Sequence, residues 1–177
     1  MAGMRRVAVV GSSGAGKSWL ASRLAAALGV PHVELDAIHH GRSWSPLPAE
    51  EMRRRLDVVC SADGAWVADG NYPSKGGDLV RARADTIVWL DFPRGAVMRQ
   101  LGRRTLRRVI LRQQLWNGNR ESLRNALARD PERSILRWAW TRHQPQRDAY
   151  ATQTDDRWVR LTNRAEVQSF LAATKRS

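Results

Sequence analysis

Short apolar runs alternate with longer stretches in which hydrophobic side chains recur every three or four positions, the sequence form of strands alternating with helices. Val7 to Val10 is the first run, and it ends in a glycine-rich turn. Leu20, Leu24 and Leu28 then stand four apart on a predicted helix over 17–28, closed by Gly29 and Pro31. A second strand is predicted over 32–35, and Pro48 opens a helix whose Met52, Leu56 and Val59 share one face. A third strand is predicted over 66–68. The fourth, over 85–90, is β-branched and apolar and stops at Asp91 and Pro93.

Beyond Pro93 the period turns helical. Val97, Leu101, Leu106, Val109 and Ile110 suggest one helix before a break at Asn117-Gly118-Asn119. Asp130-Pro131-Glu132 reads as the next helix start, followed by the stripe Ile135, Trp138 and Ala139, with Trp138 expected in the core and Pro145 expected to limit or kink the helix. A fifth strand is predicted over 158–161, and Asn163 to Glu166 forms a capping box for a last helix carrying Val167, Phe170 and Leu171. The expected fold class is α/β, a parallel sheet in three layers, with residues 94–147 as a helical insertion between strands four and five.

A chain of 177 residues suits one compact domain, here expected over 1–177. With 42% hydrophobic and 27% charged residues it is not the composition of a disordered chain. No apolar run has the length of a signal core or a membrane span, so a cytoplasmic protein without a membrane partner is expected. The single Cys60 excludes an intramolecular disulfide and a thiolate zinc cluster. Charge changes the picture more. The net charge is +13, with only three lysines, and residues 94–147 hold 14 arginines against Glu121, Asp130 and Glu132. The positive field therefore belongs to one segment, and guanidinium forks suit either a polyphosphate or a nucleic-acid backbone; a solvated helix surface is the bland alternative.

The chemistry enters at Gly11-Ser12-Ser13-Gly14-Ala15-Gly16-Lys17-Ser18, a phosphate-binding loop directly after a strand and opening a helix. Gly11, Ser13, Gly14, Ala15 and Gly16 would wrap their backbone around the phosphates of ATP at the positive end of the helix, with Trp19 beside them. Lys17 would reach the β- and γ-phosphates, and the Ser18 hydroxyl would ligate Mg²⁺. A guanine-selecting Asn-Lys-x-Asp segment is absent from the sequence, which speaks against a translational GTPase.

Leu35-Asp36, the stretch from Trp66 through Asp69-Gly70-Asn71-Tyr72, and that from Ala84 to Pro93 join the phosphate loop in a wider resemblance. It continues through Arg99, Arg103 and Arg104 into Trp116-Asn117-Gly118-Asn119-Arg120-Glu121 and 138–142. Together these segments resemble the adenylate-kinase-related P-loop kinases, most closely the group described as adenylate kinase or DNA topology modulation proteins. The resemblance implies a five-stranded P-loop NTPase sheet of order 2-3-1-4-5 with an arginine-rich lid. It implies that Asp69 holds magnesium, and that Arg99 and Arg103, sharing one helix face, contact nucleotide. Arg104, Arg120 and Arg142 are further candidates to close on the transferring phosphate.

The sequence departs from adenylate kinases where Ser74-Lys75 follow Pro73 in place of an arginine that would grip an AMP phosphate. Leu35 to His39 is instead similar to the acidic segment of shikimate- and gluconate-type kinases. Asp36 could then align or deprotonate an acceptor hydroxyl, or simply cap a turn. Asn163 could lie beside adenine or cap the last helix. Trp44, Trp116, Trp138 and Trp140 could wall a substrate pocket. The expected function is Mg²⁺-dependent transfer of the ATP γ-phosphate to a small-molecule acceptor, nucleotide or hydroxyl compound. The alternative is a nucleotide-binding regulator whose basic helical face binds nucleic acid.

Overall fold

The computed structural model describes residues 3–111, 115–119 and 134–175. Five parallel strands, β1 (Arg6–Gly11), β2 (His32–Glu34), β3 (Trp66–Asp69), β4 (Thr86–Leu90) and β5 (Trp158–Leu161), form one sheet of order β2-β3-β1-β4-β5. This is the order expected. The apolar run of β1 is central because it is buried on both faces, with Val7 and Val9 on one side and Ala8 and Val10 on the other.

On the Val7/Val9 face pack α1 (Lys17–Leu28), through Leu20 and Leu24, and the last helix, α7 (Arg164–Thr174), through Val167, Phe170 and Leu171. The other face takes α3 (Ala49–Val59), α4 (Asp78–Arg83) and α6 (Ile135–Ala151), with Met52, Leu56, Val80 and Tyr150 around Trp66 and Trp89. Helices α2 (Leu35–His39) and α5 (Arg94–Ile110) stand at the carboxyl ends of the strands. Among the described residues no helix is long and apolar enough to cross a membrane.

Several expectations shift by a turn. Strand β2 ends at Glu34 and Leu35 begins α2, so Asp36 sits in a helical first turn rather than on a strand end. Helix α3 buries Met52 and Leu56 and is followed by buried Cys60, while Val59 is exposed. In α5 the inward residues are Val97, Leu101 and Thr105, leaving Leu106 and Ile110 outside. Trp138 is not core: α6 turns Ala139, His143 and Tyr150 inward, and Trp138 lies outside under the Arg142 guanidinium. Helix α6 runs through Pro145, because that residue faces solvent, where water can take the carbonyl its ring frees. The start signal at 130–132 lies outside the described residues; α6 is capped by Ser134, whose hydroxyl accepts from the Arg137 amide.

Candidate active site

The carboxyl ends of β1, β2 and β3 bring together three side chains: Lys17 of the loop 11–18, Asp69 at the end of β3 and Asp36 just after β2. Gly11 closes β1 opposite Leu90, and its φ of 140° with a Cβ position only 2.6 Å from the Leu90 carbonyl oxygen leaves room for glycine alone. At Gly14, φ is 89° and a Cβ would fall 2.7 Å from the Leu101 Cβ, so α5 rests directly on the loop. Ser13 is half-buried, Ala15 is buried, and Gly16 (φ 98°) caps α1, leaving the first amides of that helix facing the loop.

The Lys17 ammonium donates to the carbonyls of Gly11 (2.9 Å) and Ser12 (3.3 Å). Its pKa is lowered, first by desolvation and also by Arg104, with Asp36 and Asp69 pulling it back up. Two carboxylates, an ammonium and a guanidinium thus share one field.

Asp69, 4% exposed, accepts from the Ser18 hydroxyl at 2.7 Å and has its other oxygen 2.8 Å from His32 Nε2. That hydrogen bond raises the His32 pKa. A hydroxyl and a carboxylate one hydrogen bond apart beside a phosphate loop are hard oxygen donors of the kind Mg²⁺ takes while keeping most of its waters, so the residues fit that ion.

The third side chain is Asp36. Its Oδ1 accepts from the Tyr72 hydroxyl at 2.6 Å, and that hydroxyl also lies 3.3 Å from His40 Nε2. Tyr72 holds φ at 32°, a left-handed conformation uncommon outside glycine. Burial and then the neighbouring Asp36 push its phenol pKa up, which keeps it a donor. His39, 7% exposed, packs against Tyr72 and His40; burial, Lys75 and His40 bring its pKa down to about 4.

Asn71 locks the loop from the side. Its amide nitrogen donates to the Gly11 carbonyl at 3.0 Å, its oxygen faces the Gly11 amide at 3.4 Å, and the Tyr150 hydroxyl donates to the same oxygen at 3.1 Å. Asp91, buried after β4, pairs with Arg147 at 2.9 Å and Arg160 at 2.5 Å, tying α6 to β5.

Lys17, Ser18, Asp69 and Asp36 therefore converge. Arg99 and Arg103 do not join them: both are exposed, on the opposite face of α5 from Leu101, whereas Arg104 is half-buried and near enough to perturb Lys17. Arg120 lies outside the described residues. Trp19 is exposed and stacks under Arg23. Asn163 stands at the end of β5 with its side chain occupied: Oδ1 accepts from the Glu166 amide at 3.0 Å and Nδ2 donates to the Glu166 carboxylate at 2.7 Å. Of the four candidate pocket tryptophans, Trp44 and Trp116 gather around His40, while Trp138 and Trp140 are exposed on α6 beneath arginines. Sequence reasoning gave no role to His32, Tyr72 or Tyr150; the signal for Tyr72 was its place three residues after Asp69.

No family model matches this sequence, and no protein of curated function matches it. Solved structures do. A shikimate kinase from Bacteroides thetaiotaomicron superposes with a TM-score of 0.58 at 16% identity, over 98% of each chain. The Acinetobacter baumannii shikimate kinase, solved with shikimate, gives 0.57 at 16% identity over 96% of this chain and 90% of its own. A gluconokinase from Sinorhizobium meliloti gives 0.54 at 17% identity over 97% and 94%. These likenesses establish the fold alone, a five-stranded parallel sheet between two layers of helices.

Proposed function

We propose that this protein is an ATP-dependent phosphotransferase whose acceptor is a small hydroxyl compound. The observation that carries the reading is Asp36, held on one oxygen by Tyr72 and placed within the field of Lys17 beside the phosphate loop. A nucleoside monophosphate brings its own ionised oxygen and has no need of such a carboxylate, whereas a hydroxyl does. The fold neighbours that act on shikimate and gluconate support the same acceptor chemistry. The narrower likeness to the topology modulation group rests on the phosphate loop, Leu35-Asp36, 66–72, 84–93, Arg99, Arg103 and Arg104, 116–121 and 138–142.

The loop amides of residues 13–18 receive the ATP phosphates, and Lys17 leaves the Gly11 and Ser12 carbonyls to neutralise the β- and γ-phosphates. Ser18 and Asp69 are the residues that would hold Mg²⁺, which when bound offsets the charge of the phosphates. The acceptor oxygen attacks the γ-phosphorus as the bond to the β,γ-bridging oxygen breaks and ADP departs; the hydroxyl proton passes to the oxygen of Asp36 that Tyr72 does not hold. Arg104 meets the developing charge from α5, whereas Arg99 and Arg103, exposed on the face of that helix opposite Leu101, do not reach it. Adenine lies at the end of β5 beside Thr162 and Asn163, whose side chains, together with the Thr162 amide, are engaged with Glu166. Helix α5, resting on the loop at Gly14, shields the transferring phosphate from water.

The test is a transfer screen with Mg²⁺-ATP against shikimate, gluconate, aldohexoses, nucleosides and nucleoside monophosphates. Phosphorylation of a hydroxyl compound by the wild type, and a loss of about a thousandfold or more in Lys17→Ala, is the expected result. Transfer that survives in Lys17→Ala, or only hydrolysis of ATP in the wild type, contradicts the proposal.

A further inference from the structure

Helix α2, which carries Asp36, is followed by a tight hook. The His39 carbonyl accepts from the Leu47 amide at 2.8 Å, and the Gly41 amide donates to the Ser45 carbonyl at 2.8 Å. Between them Ser43 (φ 56°) and Trp44 (φ 60°) both hold left-handed conformations, unfavourable for side-chain-bearing residues and maintained only when the surroundings impose them. The surroundings here are the turn 116–119. Asn119, 5% exposed, bridges the hook like a peptide group: its Nδ2 donates to the Gly41 carbonyl at 2.8 Å and its Oδ1 accepts from the Trp44 amide at 3.0 Å. Asn117 Nδ2 donates to the His40 carbonyl at 2.5 Å.

The same turn grips the other end of α2. Trp116 Nε1 donates to Glu34 Oε2 at 2.8 Å, two residues before Asp36. Its ring lies parallel to that of His40, with centroids 6.1 Å apart, and Trp44 meets His40 edge-on at 5.3 Å. His40 in turn reaches the Tyr72 hydroxyl that holds Asp36. None of these bonds involves the phosphate loop.

We infer that the Trp116–Asn119 turn is the acceptor-specificity element, with Asn119 and Trp116 as positioning residues that set the hook and the place of Asp36. The inference rests on the phosphotransfer reading and deepens it: part of the arginine-rich insertion, expected to serve the nucleotide, serves the acceptor. A hydroxyl compound bound at Asp36 meets a wall of Tyr72, His40, Trp44 and Trp116 whose shape this turn fixes.

The experiment compares the wild type with Asn119→Ala and with Trp116→Phe, which keeps an aromatic ring beside His40, though a smaller one, and deletes the N–H that donates to Glu34. In Asn119→Ala, hydrogen exchange over 40–47 rises about tenfold while that over 7–18 stays unchanged. A non-hydrolysable ATP analogue keeps its Kd within about twofold in both variants, and the acceptor found in the panel shows a KM raised about tenfold in Asn119→Ala and less in Trp116→Phe, with the KM for ATP unchanged. A parallel loss of analogue affinity, or an unchanged acceptor KM in both variants of an enzyme that still transfers phosphate, overturns this inference alone. A wild type that binds the analogue but phosphorylates nothing in the panel overturns the phosphotransfer reading and the acceptor role with it.

Discussion

Tyr72 couples structure to chemistry more tightly than any other residue of the site. Its hydroxyl occupies one Asp36 oxygen, which on the proposed reading leaves the other for the acceptor, and its backbone there is left-handed. Tyr72→Phe removes the hydrogen bond and keeps the ring on His39; turnover should fall about tenfold while the KM for ATP holds, as steady-state kinetics would show. A KM for ATP that rises in step would assign Tyr72 to the nucleotide. His39 predicts a pH dependence. Its folded pKa of about 4 lies below the ordinary 6.5, so the unfolded chain takes up a proton across that window when the folded protein does not. Stability is full above pH 6.5 and is lost as the pH falls toward 4. Urea midpoints should show this acid loss reduced in His39→Leu; an unaltered slope would place the proton elsewhere. At this scale Lys17 and Ser18 were legible because a loop motif fixes their spacing, Asp69 because it ends a strand in a segment that carries the family resemblance, and Asp36 because it follows a short strand. The hydrogen bond from Tyr72 was not, since it joins residues 36 positions apart.

Elements were legible where one physical signal dominated. The β-branched runs of β1 and β4 lie between neighbours on both sides and could only be buried strands. Helix faces were less so: leucine and isoleucine at 106 and 110 of α5 suggested an inward stripe, but the inward face is set by the loop against Leu101, and Thr105 takes the next inward place. The capping box at α7 held in composition and changed in detail, because the Glu166 carboxylate accepts from the Thr162 amide rather than from that of Asn163. Asn163→Ala should cost about 1 kcal/mol of stability, measured by denaturant unfolding, and leave the KM for ATP unchanged. A raised KM at full stability would instead place the Asn163 side chain on the base.

For the whole molecule, a +13 chain distributes its charge so that one segment, residues 94–147, carries nearly all of the excess. Part of it is spent on structure, with Arg147 joining Arg160 of β5 on the buried Asp91, and part is presented on α5 beside the phosphate loop. On the proposed reading the sheet order and the loop supply the nucleotide edge, and the α2 hook with its turn supplies the acceptor edge. Their meeting point is Asp36. Phosphorus NMR of Mg²⁺-ATP turnover by Asp36→Asn, followed with a hydroxyl acceptor and with a nucleoside monophosphate, tests that most directly. The account predicts a phosphomonoester signal that grows about a hundredfold more slowly than with the wild type, with binding of ATP intact. A wild-type rate on the hydroxyl compound, or product formed only from the monophosphate, would contradict it.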